Sequence, residues 1–246
     1  MRERIDDLQR DGYKLIQNPD VFCFGIDAVL LAHYAKVSKK DMSILDIGTG
    51  TGIIPILMYA INKKGKYLGI DIQKDMVDMA SRSIILNKLE DFIQVNCIDI
   101  KLYEQNFKRE SFDVITCNPP YMKVASGLKN DNLSRSISRH EIACNLEDVI
   151  KASSFILKEK GKLTLIHRTH RLVDIMELMR KYKIEPKRMR MVYPKTDKSP
   201  TMVLIEGVKL GNIELKVDKP LIVYNNDNTY TQEIYQIYGK NNLENI

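Results

Sequence analysis

Three alternating glycines, Gly48, Gly50 and Gly52, follow a short apolar segment and constrain the fold of this chain more than any other feature. Residues 44–47 have the character of a fully buried parallel strand. The glycines let the backbone turn sharply and approach a ligand closely before a helix begins near Gly52. A strand, a tight glycine loop and a helix in this order predict a nucleotide-type binding site in an α/β protein.

The spacing of the loop and one neighbouring acid narrow the ligand. The pattern is G-x-G-x-G, whereas dinucleotide-binding loops have G-x-G-x-x-G, and Asp46 stands two residues before the first glycine. A carboxylate at that position repels a pyrophosphate but can engage an ammonium group, directly or through water. The loop therefore favours S-adenosylmethionine over NAD.

Strand and helix patterns alternate along most of the chain. Asp27 is a plausible cap for a first helix over 27–36. The other predicted elements are strand 44–47, helix 52–62, strand 67–71, helix 74–87, strands 92–97 and 112–117, helix 146–157, strand 162–167, helix 172–182, and strands 188–193 and 201–207. This alternation predicts an α/β fold with a doubly wound, seven-stranded, mostly parallel sheet. The last two strands are too close for a crossover helix and are expected to form an antiparallel hairpin.

Polar residues follow successive predicted strands. Asp71 ends the second strand and is placed to accept both hydroxyls of a ribose, and Asp99 follows the third and is placed to accept from an adenine amino group. Each of these acids has an alternative role as a helix cap. Their order along the chain favours a ligand site at the carboxyl ends of the strands.

The tetrapeptide Asn118-Pro119-Pro120-Tyr121 follows predicted strand 112–117 and suggests a reaction. An exocyclic amine on an aromatic ring is a poor nucleophile because its lone pair is delocalised. The Asn118 side-chain oxygen and the Pro119 carbonyl can each accept one N–H, which orients the amine toward an electrophilic methyl group without a strong base. The two prolines stiffen the loop, and Tyr121 can stack on a flipped base. We expect Asn118 to contact the cofactor as well.

Length and charge bear on domain number and partners. The chain has 246 residues, of which 44% are hydrophobic, and carries a formal net charge of +6. We expect one catalytic domain over 1–246, with residues 1–42 as a helical extension packed on it. Two basic clusters suggest a phosphate-binding surface, although solvated faces are the alternative. They are Arg180, Lys181, Lys183, Lys187, Arg188, Arg190, Lys195 and Lys198, and Lys123, Lys129, Arg135 and Arg139.

Cysteines, histidines and hydropathy argue against other classes of protein. Cys23, Cys97, Cys117 and Cys144 lack C-x-x-C spacing, and Cys97 and Cys117 fall in predicted buried strands. His140, His167 and His170 lack accompanying ligands at metal-binding spacing, so we expect no metal. No apolar segment is long enough to cross a bilayer, and no signal sequence is evident. We expect a soluble, cytoplasmic protein, with a monomer favoured although the sequence does not specify the oligomeric state.

Together these motifs resemble the class I, Rossmann-like S-adenosylmethionine-dependent methyltransferases. Within them the chain is similar to the bacterial family that methylates adenine-N6 of valine tRNA beside the anticodon. The resemblance rests on residues 22–32, 46–52, 118–121, 139–141 and 220–224. It implies S-adenosylmethionine as cofactor, tRNA as partner and the amino-group clamp at Asn118, Pro119 and Tyr121. The residues expected to contact substrate are Pro120, Tyr121, Lys123, Arg135, Arg139, Lys187 and Arg188.

Several alternatives stay open from the sequence. A protein glutamine presents the same two amide hydrogens to Asn118 and Pro119, and similar tetrapeptides act on glutamine or guanine. Adenine or guanine in rRNA or DNA is a further acceptor. A non-catalytic RNA-binding scaffold of the same fold is the alternative outside enzymes. The segment 122–138, rich in Ser, Lys and Asn, is expected to be a loop above the site.

Overall fold

A computed structural model describes residues 3–20, 23–119 and 145–240 of the chain. Strands and helices alternate through most of these residues. The strands are β1 Arg4–Asp7, β2 Lys14–Gln17, β3 Ser43–Ile47, β4 Lys66–Asp71, β5 Ile93–Cys97, β6 Phe112–Cys117, β7 Leu157–Arg168, β8 Ile184–Tyr193, β9 Met202–Lys209, β10 Lys216–Val217 and β11 Leu221–Ile222. The α-helices are α1 Ile26–Tyr34, α2 Ile53–Asn62, α3 Lys74–Leu86, α4 Tyr103–Asn106, α5 Leu146–Ile156, α6 Leu172–Lys181 and α7 Gln232–Ile237.

One sheet carries the fold, in the order β5-β4-β3-β6-β7-β9-β8. Its neighbouring strands are parallel, except that β9 pairs antiparallel with both β7 and β8. The two short strands β10 and β11 extend the edge beyond β8. The predicted α/β class, mostly parallel sheet and C-terminal antiparallel hairpin are confirmed, and the seven predicted strands are extended to nine by β10 and β11. The strand order reverses between β3 and β6, and in open α/β sheets ligands bind at the carboxyl ends of the strands at such a point.

Alternating side chains of the strands fill two cores, one on each face of the sheet. Ile44, Val114 and Leu204 belong to the core that includes α1, α2 and α7. Leu45 and Ile115 belong to the core on the other face, which includes α5 and α6. With both faces covered, the sheet holds the carboxyl ends of its strands in fixed positions.

The amino-terminal segment differs from the predicted helical extension. Before α1, strands β1 and β2 form an antiparallel hairpin. The backbone N–H of Ile16 on β2 donates to the Ser83 hydroxyl at 2.9 Å, and that of Lys14 donates to the Asn87 side-chain oxygen at 2.8 Å. Side chains of α3 and of its C-cap residue Asn87 therefore satisfy a strand edge that would otherwise be unpaired, which explains why so short a hairpin is stable here.

Two further expectations need correction. Gly25 is the N-cap of α1, and Asp27 lies within the first turn. Cys97 is exposed whereas Cys117 is buried, because β5, which contains Cys97, is an edge strand of the sheet. The hydropathy of the helices is a separate matter: in the described part of the chain, none combines the length and the apolar character of a membrane-spanning segment.

Candidate active site

The glycine-rich loop forms the tight turn expected from its sequence. Gly48, Gly50 and Gly52 have φ angles of 71°, 56° and 84°, in the left-handed region that other residues rarely adopt. The N–H groups of Gly48 and Thr49 both donate to the Ile70 carbonyl, each at 2.9 Å. Chain neighbours aside, no heavy atom of the described residues lies within 4 Å of a Cβ built at Gly48 or Gly50. The loop therefore leaves space beside its backbone for a ligand.

Asp46 lies beneath this loop and joins the two strands of the switch point. It is 1% exposed, and its Oδ1 accepts a hydrogen bond of 2.6 Å from the Thr116 hydroxyl on β6. Burial raises the pKa of Asp46 to about 7, although the Thr116 hydrogen bond acts in the opposite direction. Among the described residues, Oδ2 of Asp46 has no hydrogen bond of ordinary geometry, although the Thr49 hydroxyl is near enough to lower the pKa of Asp46. A buried carboxylate oxygen without a full hydrogen bond is costly, which favours the protonated form of Asp46.

Asp71 ends β4 and connects that strand to the glycine loop. Its Oδ2 accepts from the Gly50 N–H at 2.9 Å, and its Oδ1 accepts from the Gln73 N–H at 2.9 Å. Each carboxylate oxygen can accept a second hydrogen bond. Asp71 therefore both positions the loop and retains the capacity to accept ligand hydroxyls.

Asp99 lies two residues after β5, at the same edge of the sheet. Its Oδ1 accepts from the Lys101 N–H at 2.9 Å, which makes Asp99 the N-cap of a short 3-10 helix over Ile100–Leu102. The side chain keeps 24% of its surface exposed. The capping role is thus realised, and a contact with an adenine amino group stays a prediction.

Asn118 follows β6 directly, so it lies at the carboxyl end of the strand next to β3. Its Nδ2 donates to Oδ2 of Asp27 on α1 at 3.1 Å. Pro119 is the next residue along the chain. Asn118 and Pro119 thus follow the strand that pairs with β3, which leads into the glycine loop. Pro120, Tyr121, Lys123, Arg135 and Arg139, with Lys129 and the expected loop 122–138, lie outside the described residues.

Lys187 and Arg188 lie within β8, well before its carboxyl end at Tyr193. Lys187 donates to the Asn212 carbonyl at 3.1 Å. Arg188 donates to the Tyr34 carbonyl at 2.8 Å, and its guanidinium carbon is 3.9 Å from the centroid of the Tyr34 ring. This geometry argues against Arg188 as a phosphate contact, because its guanidinium is held against the end of α1.

Three residues that the sequence did not mark as functional complete the site. Asp27 and Thr116 bond Asn118 and Asp46, respectively. Thr49 is buried, and a Cβ added at Gly69 would lie 2.7 Å from its hydroxyl oxygen. The pairing of β3 with β6 and β4 and the packing of α1 against them create these contacts, so no local spacing in the sequence signals them.

Among the described histidines, His167 lies at the same ends of the strands as the candidate site. His167 lies near the end of β7, and burial lowers its pKa to about 4. This keeps the imidazole neutral at physiological pH. Within the described ranges, no group of three or more His, Cys, Asp or Glu side chains is arranged to hold a metal ion.

Known proteins with similar sequences or structures are methyltransferases. The Methyltransferase domain family matches residues 38–202. The tRNA1(Val) (adenine(37)-N6)-methyltransferase of Parabacteroides distasonis is 31% identical over 74% of this chain and 75% of its own length. A predicted O-methyltransferase from Agrobacterium tumefaciens has a similar structure, with a TM-score of 0.70 and 21% identity over 87% of this chain and 96% of that chain.

A further structure, geranyl diphosphate methyltransferase in complex with S-adenosylmethionine, matches with a TM-score of 0.56 and 12% identity over 75% of this chain and 84% of that chain. At this identity, both structural matches concern the fold alone. The match to the family model and the sequence identity with the Parabacteroides relative identify the family. The chain therefore belongs to the methyltransferase domain family, and within it to the family of the tRNA1(Val) (adenine(37)-N6)-methyltransferases.

Proposed function

We propose that this protein transfers a methyl group from S-adenosylmethionine to the N6 amino group of an adenine in tRNA, beside the anticodon of valine tRNA and in the cytoplasm. The observation that carries the proposal is the position of Asn118 at the carboxyl end of β6, next to the strand that leads into the glycine loop. The name of the Parabacteroides relative supports the choice of adenine and of tRNA.

The residues around the loop fit this cofactor. The open space at Gly48 and Gly50 admits a ligand close to the backbone. The remaining acceptor capacity of Asp71 suits ribose hydroxyls, and the buried Asp46 carboxylate is proposed to engage the ammonium group through water. Asp99 is proposed to accept from the cofactor's adenine, and Gly52 lets α2 begin directly after the loop. When bound, S-adenosylmethionine supplies an electrophilic methyl group.

Asn118 and Pro119 act on the acceptor. The Asn118 Oδ1 and the Pro119 carbonyl each accept one N–H of the adenine amine, which turns the nitrogen lone pair toward the methyl group. The new N–C bond forms as the methyl–sulfur bond breaks, and the nitrogen then loses one proton to solvent. The two acceptors favour the positive charge that develops on the nitrogen. We propose that Tyr121 stacks on the base and that Pro120 stiffens the loop.

The sheet divides the basic residues between two edges. Since β8 has ten residues, its ends are about 30 Å apart. Arg180, Lys181, Lys183 and Lys187 lie toward the amino ends of the strands, where α6 finishes. The carboxyl ends of the parallel strands, here called the carboxyl edge, lie on the opposite side of the sheet and include Asn118. The basic residues there are Arg168, Arg171, Lys195 and Lys198. We therefore propose that this second group, with Lys123, Arg135 and Arg139, contacts the phosphates around the adenine.

Nucleoside mass spectrometry tests the reaction. The purified protein with S-adenosylmethionine is expected to convert adenosine to N6-methyladenosine in unmodified valine tRNA, and Asn118→Ala is expected to remove most of that activity. Valine tRNA from a strain lacking the protein should lack the modification. Methylation of a protein glutamine, of rRNA or of DNA in place of tRNA would refute the substrate assignment. Binding of RNA without transfer of a methyl group to any acceptor would support the scaffold alternative.

The salt dependence of tRNA binding tests the proposed surface. Lys195→Ala with Lys198→Ala should weaken binding and lower the slope of log K against log salt by about 1.5, because each phosphate contact contributes about 0.7–0.9. Lys181→Ala with Lys183→Ala removes the same charge at the opposite edge and is the matched control. Equal effects of the two double variants would contradict the placement of RNA at the carboxyl edge.

A further inference from the structure

Asn118 is held by a residue 91 positions earlier in the chain. Asp27 lies in the first turn of α1, and its two carboxylate oxygens have different partners. Oδ2 accepts from the Asn118 Nδ2 at 3.1 Å, and Oδ1 accepts from the Ala28 N–H at 3.0 Å. Both contacts are partly buried. The carboxylate is therefore fixed to its own helix while it holds the amide of a different strand.

The hydrogen-bonding capacity of a carboxylate determines the orientation of that amide. The oxygen and nitrogen ends of an asparagine side chain have nearly the same shape, so their hydrogen-bond partners select the orientation. An ionised carboxylate only accepts, and it therefore pairs with Nδ2 of Asn118 and turns Oδ1 away from Asp27. The opposite orientation would direct an NH₂ group at the NH₂ group of the adenine, where neither can accept.

The charge of Asp27 adds a second effect. A charge-assisted hydrogen bond is stronger than a neutral one and polarises the group that donates it. Polarisation of the Asn118 amide by Asp27 makes Oδ1 a better acceptor. A negative charge behind Asn118 also favours the positive charge that develops on the reacting nitrogen.

Helix α1 gives Asp27 a rigid support. The side chains of Ala28, Val29, Leu30 and Leu31 are buried in the core. At the other end of the helix, Arg188 bonds the Tyr34 carbonyl and stacks on the Tyr34 ring. A catalytic group is positioned well when a packed element carries the residue that supports it.

We propose that Asp27 is a positioning residue of the acceptor clamp, which selects the orientation of the Asn118 amide and polarises it. This inference rests on the proposed function. It predicts that loss of Asp27 slows turnover through Asn118 and leaves the binding of cofactor and tRNA almost unchanged.

A double-mutant cycle tests this role. The rate of tRNA methylation is measured at saturating S-adenosylmethionine and tRNA for the parent, Asp27→Ala, Asn118→Ala and the double variant. Asp27→Ala should lower kcat by about 10- to 100-fold, less than the roughly 10²–10³-fold cost of losing a group that contacts the reacting atoms, because Asp27 acts through Asn118, while KM changes by about twofold or less. The double variant should be no slower than Asn118→Ala, because the two residues act as one unit.

Two further variants separate this effect from a fold defect. Asp27→Asn keeps the size of the side chain but can donate as well as accept, so it no longer selects one amide orientation and should be several-fold slower than the parent. Glu147→Ala removes an acid from the first turn of α5, where it bonds Lys181 and Tyr182, and should retain parental kcat.

The outcomes are distinguishable. If the parent leaves tRNA unmethylated, the proposed function fails. If the parent is active and Asn118→Ala is slow, parental kcat in Asp27→Asn overturns the positioning role alone. The same conclusion follows if the double variant is slower than Asn118→Ala by the full factor measured for Asp27→Ala.

Discussion

The buried carboxylate of Asp46 makes a quantitative prediction about the pH dependence of stability. Burial raises the pKa of Asp46 from its ordinary 3.8 to about 7. The folded state therefore favours the protonated form. This contribution to stability is fully present below pH 3.8, declines as the pH rises, and is lost above about pH 7.

The magnitude follows from the two pKa values. One pKa unit corresponds to about 1.4 kcal/mol of free energy. The rise of the Asp46 pKa on folding therefore stabilises the folded, protonated form by about 4 kcal/mol relative to the ionised form. Of this, about 3 kcal/mol is lost between pH 5 and pH 8. Asp46→Asn keeps an oxygen that can accept from Thr116 and removes the ionisation. Relative to the parent, the variant should therefore gain about 3 kcal/mol of unfolding free energy between pH 5 and pH 8.

Urea denaturation at several pH values, without cofactor, measures this difference. Comparison of the same variant at two pH values cancels any constant cost of the new amide nitrogen. Asp174→Asn removes one exposed negative charge and is the matched control. Parallel stability curves for Asp46→Asn and the parent from pH 5 to pH 8 would refute the reasoning. We also expect Asp46→Asn to weaken binding of S-adenosylmethionine, since a neutral amide attracts an ammonium group less than a carboxylate does.

Three further predictions concern ligand binding, catalysis and stability. Asp71→Ala should weaken binding of S-adenosylmethionine by roughly 1.5–3 kcal/mol, because Asp71 accepts ribose hydroxyls and also holds the Gly50 N–H; calorimetry at parental affinity would contradict this. Tyr121→Ala should slow methylation, and Tyr121→Phe should be mild if stacking is its role; equal losses in rapid-quench assays would indicate the hydroxyl instead. Arg188→Ala should lower the unfolding free energy by about 3 kcal/mol because it leaves the buried Glu206 with one cation fewer, whereas Lys187→Ala should stay within about 1 kcal/mol of the parent; urea denaturation compares the two, and equal stabilities would show that Arg188 is not structural.

Local sequence patterns determined the fold class and led to the candidate site. The glycine loop, the alternation of strands and helices, and the acids after successive strands predicted a doubly wound sheet, which the structure confirms. The predicted membership of a methyltransferase family is confirmed by comparison with known proteins. Such patterns are informative because buried strands and left-handed turns impose their residue types within a few positions.

Tertiary packing decided which groups meet and which remain apart. The pairing of β3 with β6 brings Thr116 to Asp46, and the seating of α1 brings Asp27 to Asn118. The sheet also separates basic residues that are close in the sequence, because a strand carries the chain from one edge to the other. Spacing along a chain specifies neither strand order nor the position of a helix above a sheet, and these depend on hydrophobic burial over the whole domain. The support of Asn118 by Asp27 and the structural role of Arg188 therefore follow from the tertiary structure alone.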